Sequence, residues 1–363
     1  MEKEKLREFY QNNIYGKWRS GEDISYELLG PDPDTGEKPE GFAAFLKVTG
    51  GELVRISVSK DGRSSSFVIH AYLPDEKNKP SEGPAPFIIC MHPIPAADLA
   101  LKKGYALLVM TASEIATDDT ARNGAFYDLY PYGNDPEEQT GVLIAWAWGA
   151  SKILDAVYEG LGKDLNLDPE LSLVTGVSRW GKATAVCGAF DERFKMTIPA
   201  CSGAGGLALF GFVSDGKTYD LSSIGGPADY TYGKNEPLDC LQSDAERGWF
   251  NDYFLKYKNP EDIPVSQSGL PVLGVSETRY YFIIAAFMGE DWVNAPAMWE
   301  CYKEADRLLK DAGLDSHLAV HFHKEGHAVI DEDMELITDL FNNIAFGKPL
   351  HVPFESLKTT VFE

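Results

Sequence analysis

The sequence predicts an α/β protein built on a doubly wound, mostly parallel β-sheet. Short, uninterrupted apolar runs recur from residue 86 onward, as is typical of parallel strands that helices cover on both faces. Helical patterns, with apolar residues every three or four positions, separate several of these runs. A pair of alternating segments joined by a turn precedes them, and this pair indicates an antiparallel hairpin at the start of the sheet.

The predicted hairpin is the first of these elements. Its strands are residues 53–59 and 66–72, in which apolar and polar side chains alternate, and an Asp-Gly pair at 61–62 favours a tight turn between them. The preceding residues 1–50 are polar and mixed. We interpret them as an N-terminal extension, in which the Pro/Gly-rich stretch 31–39 is a loop.

Six apolar runs predict the parallel strands. They lie at residues 86–91, 104–110, 171–175, 194–198, 280–286 and 317–322. The clearest helical patterns lie at residues 142–157, 297–312 and 333–344. We expect residues 1–363 to form a single domain. The long stretch 207–270 is predicted to be an excursion over the carboxyl edge of the sheet, where loops commonly build the site in open α/β sheets.

Charge and composition limit the classes of partner. The chain has 56 acidic and 33 basic residues, a formal net charge of -23, and this charge repels phosphate backbones and anionic lipids. No stretch approaches the roughly 18 uninterrupted apolar residues of a membrane span. We therefore expect no nucleic-acid or membrane partner. The first residues lack the apolar core of a secretory signal, which predicts a cytoplasmic location unless a leader has been removed.

The cysteines indicate neither a disulfide framework nor a zinc site. Their number is odd, their spacing is wide and no two form a C-x-x-C pair. They stand at positions 90, 187, 201, 240 and 301. Buried free thiols are expected instead, and the sequence predicts no metal ion and no organic cofactor.

The segment 171–185 carries the chemistry. An apolar strand ends at Gly176, Ser178 follows two residues later, and a helix opens at Gly181. Such a turn exposes the serine Oγ above the sheet near helix N-terminal amides, and the two glycines let it close without clashes. The spacing is G-x-S-x-x-G rather than G-x-S-x-G, because Trp180 takes the usual glycine position. Ser178 is the predicted nucleophile of an α/β-hydrolase.

A serine nucleophile needs an acid and a histidine, which follow it in that order on this fold. His327 is the best placed of seven histidines, because it lies in the loop between the last predicted strand and the final helix. The acid is expected in the loop after the strand 280–286. Glu290 and Asp291 are both candidates there.

Three other histidines have different interpretations. His321 and His323 alternate along the last predicted strand, as structural side chains do. His92 follows an early strand and is a candidate for shaping the oxyanion loop. His327 is therefore the predicted base.

Several segments together resemble the glucuronoyl esterases of carbohydrate esterase family 15. The most specific are FYDLYPYG at 126–133, GVLIAWAWG at 141–149 and GVSRWGK at 176–182. Shorter similar stretches lie at 189–193, 202–206 and 248–251. The similarity runs from about residue 66 to 347. It implies cleavage of the ester that joins 4-O-methyl-glucuronic acid of xylan to lignin alcohols.

The resemblance also implies roles for individual residues. Ser178 would attack the uronoyl carbonyl to form an acyl-enzyme, with His327 as base and then acid. Arg179 would contribute to the oxyanion site. The implied contacts to the sugar are Lys182 through its ammonium, Trp292 through ring packing and, as a weaker match, Glu246. The other interpretation of Lys182 is a solvated lysine in the first turn of a helix.

One departure from the family bears on the acid. Many members place a catalytic glutamate 23 residues after the serine, where this chain has Cys201. Other members use an acid in a context similar to residues 289–292, and on this resemblance we favour Glu290. The predicted substrate is an oligosaccharide or small-molecule uronic-acid ester. Two alternatives stay open: an acetyl xylan esterase, and a catalytically degenerate carbohydrate-binding protein, which Cys201 motivates.

Overall fold

The computed structural model describes residues 3–32, 51–80, 83–360 and 362. Residues 33–50, which include most of the predicted loop 31–39 and the end of the predicted N-terminal extension, lie outside the described residues. The strands are β1 (Asp23–Pro31), β2 (Glu52–Lys60), β3 (Arg63–Tyr72), β4 (Ala85–Cys90), β5 (Ala106–Met110), β6 (Leu167–Val177), β7 (Met196–Ala200), β8 (Thr218–Tyr219), β9 (Tyr230–Thr231), β10 (Tyr280–Met288) and β11 (Leu318–Glu325).

Nine of these strands form one sheet in the described part of the chain, in the order β1-β2-β3-β5-β4-β6-β7-β10-β11. From β5 to β11 every neighbouring pair is parallel. The first three strands add to this block in antiparallel fashion. The prediction of a mostly parallel, doubly wound sheet with an N-terminal antiparallel hairpin is confirmed.

The hairpin between β2 and β3 turns at the predicted Asp-Gly pair. Lys60 pairs with Arg63, so the loop has two residues. Asp61 and Gly62 have φ of 51° and 78°, and a type I′ turn requires positive φ at both positions. The local sequence therefore sets the register of this hairpin.

Strand β1 was not predicted, although Ile24, Tyr26 and Leu28 alternate with polar residues over its first six positions. Most of its side chains are exposed or only half-buried, since it lies at the edge of the sheet and pairs with β2 alone. Its register also shifts between Leu28 and Gly30. A bulge of this kind moves side chains from one face to the other, so the period of two is lost.

Helices cover both faces of the sheet. They are α1 (Lys3–Tyr10), α2 (Ala97–Lys102), α3 (Ala112–Ile115), α4 (Ala125–Leu129), α5 (Val142–Ala156), α6 (Gly162–Leu165), α7 (Arg179–Phe190), α8 (Leu238–Leu241), α9 (Gly269–Gly274), α10 (Ala295–Lys310) and α11 (Asp331–Phe346). All three helical patterns correspond to helices, α5, α10 and α11. No helix of the described residues is both long and apolar enough to cross a membrane.

Helix α5 explains the tryptophan-rich stretch. Its side chains are buried almost without exception, and its two indole N–H groups find partners as buried indoles require. Trp146 donates to the carbonyls of Ala112 and Ala116 at 3.1 and 2.9 Å. Trp148 donates to the Glu22 carboxylate at 3.0 Å. This segment packs the core beneath the site.

The parallel strands place three loops at one edge of the sheet. Ser178 follows the end of β6, Glu290 follows β10 and His327 follows β11. The registers align these ends, since Val177 of β6 pairs with Ala200 of β7, which pairs with Ile284 of β10. Carboxyl ends of parallel strands are where open α/β sheets build their sites.

Candidate active site

Ser178 lies at a strained turn between β6 and α7. Its φ and ψ are 63° and -127°, a backbone conformation that is costly for a residue with a side chain and that clusters at functional sites. The Ser178 N–H donates to the Ala200 carbonyl at 3.0 Å. The Ser178 carbonyl accepts from the Lys182 N–H at 2.9 Å, which begins the helix.

Two glycines let this turn close. A Cβ at Gly181 would lie 2.2 Å from the Ala200 carbonyl oxygen, and a Cβ at Gly176 would lie 2.7 Å from the Trp180 oxygen. Both distances are shorter than any real carbon–oxygen contact. The G-x-S-x-x-G spacing therefore follows from the close approach of α7 to β7.

Trp180 fills the position where a glycine is more usual. Its ring lies 4.6 Å from the ring of His92 and 5.9 Å from that of Trp146. The indole thus connects the turn to the loop after β4 and to helix α5. This packing accounts for the departure from the shorter elbow spacing.

His92 supports the turn from the other side. Its Nε2 accepts from the Val177 N–H at 2.9 Å, so the proton of the neutral ring is on Nδ1. Burial lowers the pKa of His92 to about 4. The ring is therefore an uncharged acceptor at neutral pH that fixes the residue before Ser178.

His327 and Glu290 form a hydrogen-bonded pair. The Nδ1 of His327 lies 2.5 Å from Glu290 Oε2. The His327 side chain is 40% exposed, and the glutamate is 18% exposed. Ser178, Arg179, Trp180 and His327 line one cavity of about 660 Å³. The predicted nucleophile and base thus share a cavity, and a carboxylate holds the base.

Asp291 points away from this pair. Its Oδ1 accepts from the Tyr230 hydroxyl at 2.6 Å, and its Oδ2 accepts from the Gly233 N–H at 3.0 Å. Both partners belong to the excursion between β7 and β10. The structure therefore separates the two candidate acids: Glu290 contacts His327, while Asp291 anchors a loop.

Cys201 occupies the position of the family's other acid. The residue is buried, its φ is 45°, and its N–H donates to the Ile284 carbonyl at 2.8 Å. Burial raises the pKa of the thiol, so it stays protonated and uncharged. It therefore offers His327 no negative charge. All five cysteines are free, and Cys240 alone is only partly buried.

Arg179 lies on the cavity wall in a fixed orientation. Its guanidinium forms an ion pair with Asp118 and lies 5.4 Å from the centre of the Trp249 ring. The Trp249 indole donates to the other oxygen of Asp118 at 2.7 Å. Asp118 and Trp249, from distant parts of the chain, thus hold this cation beside Ser178.

Lys182 is buried, so the interpretation as a solvated lysine is wrong, while its contact with a sugar stays a prediction. Its side chain is 4% exposed, and its ammonium donates to three acceptors. These are the Ser202 carbonyl at 2.9 Å, the Ala204 carbonyl at 2.6 Å and Glu236 Oε2 at 2.7 Å. An ammonium has three N–H groups, so a sugar hydroxyl would have to share one of them.

Glu246 lies near this ion pair. Burial raises its pKa, and the charge of Glu236 raises it further against the opposing effect of Lys182. Its Oε2 is buried and has no hydrogen-bond partner among the described residues. Its carboxyl group also has a side-chain hydrogen bond with Cys240. Trp292 is 42% exposed in the loop after β10, and its carbonyl accepts from the Glu236 N–H at 2.9 Å.

Two functional side chains were missed by the sequence analysis. Glu236 and Asp118 lie in irregular segments, and each contacts its partner across a large separation of 54 or 61 residues. No local pattern marks such a residue. Trp249 had a weak signal, because it belongs to one of the short stretches that resemble the family.

Comparisons with known proteins agree with this geometry. The family model described as glucuronyl esterase, fungi, matches residues 56–313. A multidomain esterase of Ruminococcus flavefaciens is 43% identical over 360 residues, which cover 97% of this chain and 44% of that protein. A 4-O-methyl-glucuronoyl methylesterase of Thermothelomyces thermophilus is 32% identical over 336 residues, or 90% of this chain and 76% of that protein.

Solved structures share the architecture. A carbohydrate esterase family 15 glucuronoyl esterase from Caldicellulosiruptor kristjansonii superposes with a TM-score of 0.83 at 29% identity, covering 99% of this chain and 87% of that one. A Sporotrichum thermophile glucuronoyl esterase, solved with methyl 4-O-methyl-β-D-glucopyranuronate, has a TM-score of 0.71 at 19% identity and shares the fold. Its match covers 96% of this chain and 82% of that one.

The extent of these matches differs between relatives. The chain spans 44% of the Ruminococcus protein and 41% of a Podospora anserina 4-O-methyl-glucuronoyl methylesterase that is 34% identical over 226 residues, 61% of this chain. The family model nevertheless covers most of the chain. The chain has the α/β-hydrolase fold and belongs to the glucuronoyl esterase family.

Proposed function

We propose that this chain hydrolyses esters of glucuronic acid, including its 4-O-methyl form, through an acyl-enzyme on Ser178. The observation that carries the proposal is the 2.5 Å contact between His327 Nδ1 and Glu290, on the wall of the cavity that also holds Ser178. A hydroxyl, an imidazole and a carboxylate in this chain order are the parts of a serine hydrolase.

The contact with Glu290 determines what His327 can do. A carboxylate accepts the proton on Nδ1, which leaves the lone pair of Nε2 for the Ser178 hydroxyl. Ser178 Oγ then adds to the ester carbonyl as its proton passes to Nε2. The imidazolium donates that proton to the leaving alcohol, and water repeats the sequence to release the uronic acid. Glu290 accepts from Nδ1 throughout and stabilises the imidazolium.

The oxyanion requires donors beside Ser178. Helix α7 begins at the residue after the nucleophile, so its first N–H groups have no partner within the helix. Arg179 lies in the same cavity and is held by Asp118. A donor placed in this way contributes about 3 kcal/mol to stabilising the transition state.

The buried polar groups next to the cavity favour a sugar as the acyl part. Glu246 presents a buried carboxyl oxygen that has no hydrogen-bond partner among the described residues. Lys182 carries a positive charge close to it, and Trp292 offers an exposed ring for packing. A uronoyl group has hydroxyls that can bind such acceptors, whereas an acetyl group has none. This difference supports a uronic-acid esterase over an acetyl xylan esterase.

The contact between Glu290 and His327 also bears on the alternative of a catalytically degenerate binding protein. A binding protein that had lost catalysis would have no reason to keep a carboxylate against the imidazole of His327. The presence of Glu290 there compensates for Cys201 and supports a working enzyme. The Podospora anserina and Thermothelomyces thermophilus relatives carry the name 4-O-methyl-glucuronoyl methylesterase, which is consistent with hydrolysis of simple alkyl esters by this chain.

Hydrolysis of two esters tests the proposal. Benzyl D-glucuronate and nitrophenyl acetate are offered to the wild type and to Ser178→Ala, with circular dichroism to verify folding. We expect the wild type to cleave the glucuronate ester with the higher kcat/KM, and the variant to cleave neither. Cleavage of the acetate alone would favour the acetyl esterase. Inertness toward both esters would leave the binding protein as the better account.

A further inference from the structure

Two histidines and an aspartate lie directly beneath the loop that carries His327. His321 and His323 are two residues apart on β11, so their side chains point to the same face. The Nδ1 of His321 lies 2.8 Å from Asp333, and that of His323 lies 3.0 Å from it. Asp333 also accepts from the Ile330 N–H at 2.9 Å at the start of α11.

The partners of His323 determine its protonation. Its Nδ1 faces the Asp333 carboxylate, and its Nε2 lies 2.8 Å from the Gly326 carbonyl oxygen. Both partners accept hydrogen bonds and neither has a proton to donate. Both ring nitrogens must therefore carry hydrogen, which makes the ring an imidazolium. A fully buried imidazolium is stable only beside a counter-ion, and Asp333 is fully buried against it.

The pKa directions agree with this assignment. Burial lowers the pKa of His323, but the hydrogen bond and charge of Asp333 and the Gly326 carbonyl outweigh it, so the pKa is raised above 6.5. Burial raises the pKa of Asp333, and the two histidines outweigh it, so that pKa is lowered. Two other titratable groups lie near His323: Glu332 at the start of α11, whose charge also raises the pKa of His323, and His321, whose ring centre lies 6.4 Å away.

The Gly326 carbonyl connects this pair to His327. This carbonyl oxygen also accepts from the Ala328 N–H at 3.0 Å. A hydrogen bond between residues two positions apart closes a three-residue turn, and His327 is the central residue of this turn. Gly326 itself has a φ of 118°, which favours glycine. The imidazolium thus binds the same oxygen that closes the turn around the predicted base.

We infer that His323 is a positioning residue: its bond to the Gly326 carbonyl holds the turn of His327 and so aims that imidazole between Glu290 and Ser178, while Asp333 keeps the His323 ring protonated. The inference rests on the proposed function for its kinetic consequence. It assigns a role to two side chains that otherwise belong to the core. Removing the contact to Gly326 is expected to lower kcat more than it changes KM, because it misplaces the base without touching the substrate.

Two variants of the same residue separate positioning from folding. His323→Asn keeps a donor near the Nδ1 position, so it can still bind Asp333 but loses the contact to Gly326. His323→Gln keeps a donor near the Nε2 position, so it can still bind Gly326 but loses the contact to Asp333. We expect His323→Asn to lower kcat on nitrophenyl acetate roughly tenfold, and His323→Gln to stay within about threefold of wild type. The matched control is His321→Gln, which loses a contact to Asp333 but has none to Gly326.

The pH profile gives a readout that a merely structural residue would not move. Since the pKa of His323 is raised, its contribution is present at low and neutral pH and is lost as the pH rises through that pKa. We expect the wild-type kcat to fall on the alkaline side. We expect His323→Gln to lack that fall, because glutamine does not titrate.

A long-range 1H–15N spectrum of histidine-labelled protein tests the charge without activity. The signals of the seven imidazoles are assigned with the variants. We expect His323 to be an imidazolium at pH 7, and we expect the His327 signals to shift in His323→Asn. A neutral His323, or unchanged His327 signals, would overturn the inference even in an active enzyme. If the wild type cleaved no ester while these spectra appeared as expected, the proposed function would fail and the positioning role would stand.

Discussion

At Ser178 the backbone holds a φ of 63°, and contacts from three sides keep it there. Ala200 accepts its N–H, His92 holds Val177 before it, and helix α7 begins after it. A conformation that costs about 1–3 kcal/mol persists only when its surroundings fix it in this way. The strain has a use, since it lifts the hydroxyl above the sheet into the cavity.

The Lys182–Glu236 pair is a buried ion pair near the site. Both side chains are 4% exposed, so each charge depends on the other for compensation. Breaking a buried pair by removing one partner typically costs about 3–5 kcal/mol. We expect Glu236→Gln, which keeps one hydrogen-bond acceptor, to lower the free energy of unfolding by about 2–3 kcal/mol in urea titrations.

An exposed ion pair supplies the control for that change. Lys303 and Glu300 lie 2.9 Å apart with side chains that are 45% and 34% exposed. Glu300→Gln should change the free energy of unfolding by less than about 1 kcal/mol. Equal effects of the two substitutions would mean that the Lys182 ammonium is reached by water and is not held by Glu236.

At the level of single residues, the predictions rest on chain order. Ser178 and His327 follow from the order of strands and loops on this fold. Glu290 and Asp291 could not be separated by pattern, because they are adjacent in one loop. Their separation depends on Tyr230, which lies 61 residues away and takes Asp291. The burial of Lys182 likewise depends on a glutamate 54 residues away.

At the scale of elements, the contact between α7 and β7 determines the elbow. Gly181 lies in the first turn of α7, where alanine would ordinarily stabilise the helix by about 1 kcal/mol. Here a Cβ would lie 2.2 Å from the Ala200 carbonyl oxygen. Because of this close approach, alanine at this position should destabilise the protein, although helix propensity alone predicts that it would stabilise it.

We expect Gly181→Ala to lower the free energy of unfolding by about 1–3 kcal/mol, as overpacking does, and to lower esterase kcat because the helix shifts at Ser178. Gly133→Ala is the control, since a Cβ there would have no neighbour within 4 Å. A Gly181→Ala protein as stable and active as wild type would show that the elbow tolerates a wider spacing.

The helices and strands that the sequence predicted are those with a long and regular pattern of apolar residues. Buried strands such as β10 and the hairpin of β2 and β3 have continuous or alternating apolar patterns, and they were found to within a few residues. The edge strand β1 alternates only over residues 23–28, directly before the Pro/Gly-rich stretch, and was missed. Helix α5 was found even though it is buried all round, since its length exceeds that of a strand.

At the scale of the whole molecule, the stability should depend on pH through His92. Its pKa is lowered from 6.5 to about 4 by burial, so the unfolded chain binds a proton at pH values where the folded chain does not. The stabilisation is therefore complete above about pH 6.5 and is lost as the pH falls toward 4. The loss amounts to about 3 kcal/mol at most.

Chemical unfolding at pH 7.5, 5.5 and 4.5 measures this dependence in the wild type and in His92→Gln. Glutamine keeps an acceptor for the Val177 N–H and does not titrate, so the variant should lose less stability on acidification. The carboxylates contribute equally to the pH dependence of both proteins, so their contributions cancel when the two proteins are compared. An identical pH dependence in the two proteins would contradict the buried, neutral state of His92.

The central claim is that Glu290 orients His327 in a working triad. The most direct measurement compares kcat for benzyl D-glucuronate in the wild type, Glu290→Gln and Asp291→Asn. The account predicts a loss of about 10³- to 10⁴-fold in the first variant. It predicts less than about tenfold in the second, whose carboxylate contacts Tyr230 and Gly233. Full activity in Glu290→Gln, or a larger loss in Asp291→Asn, would contradict it.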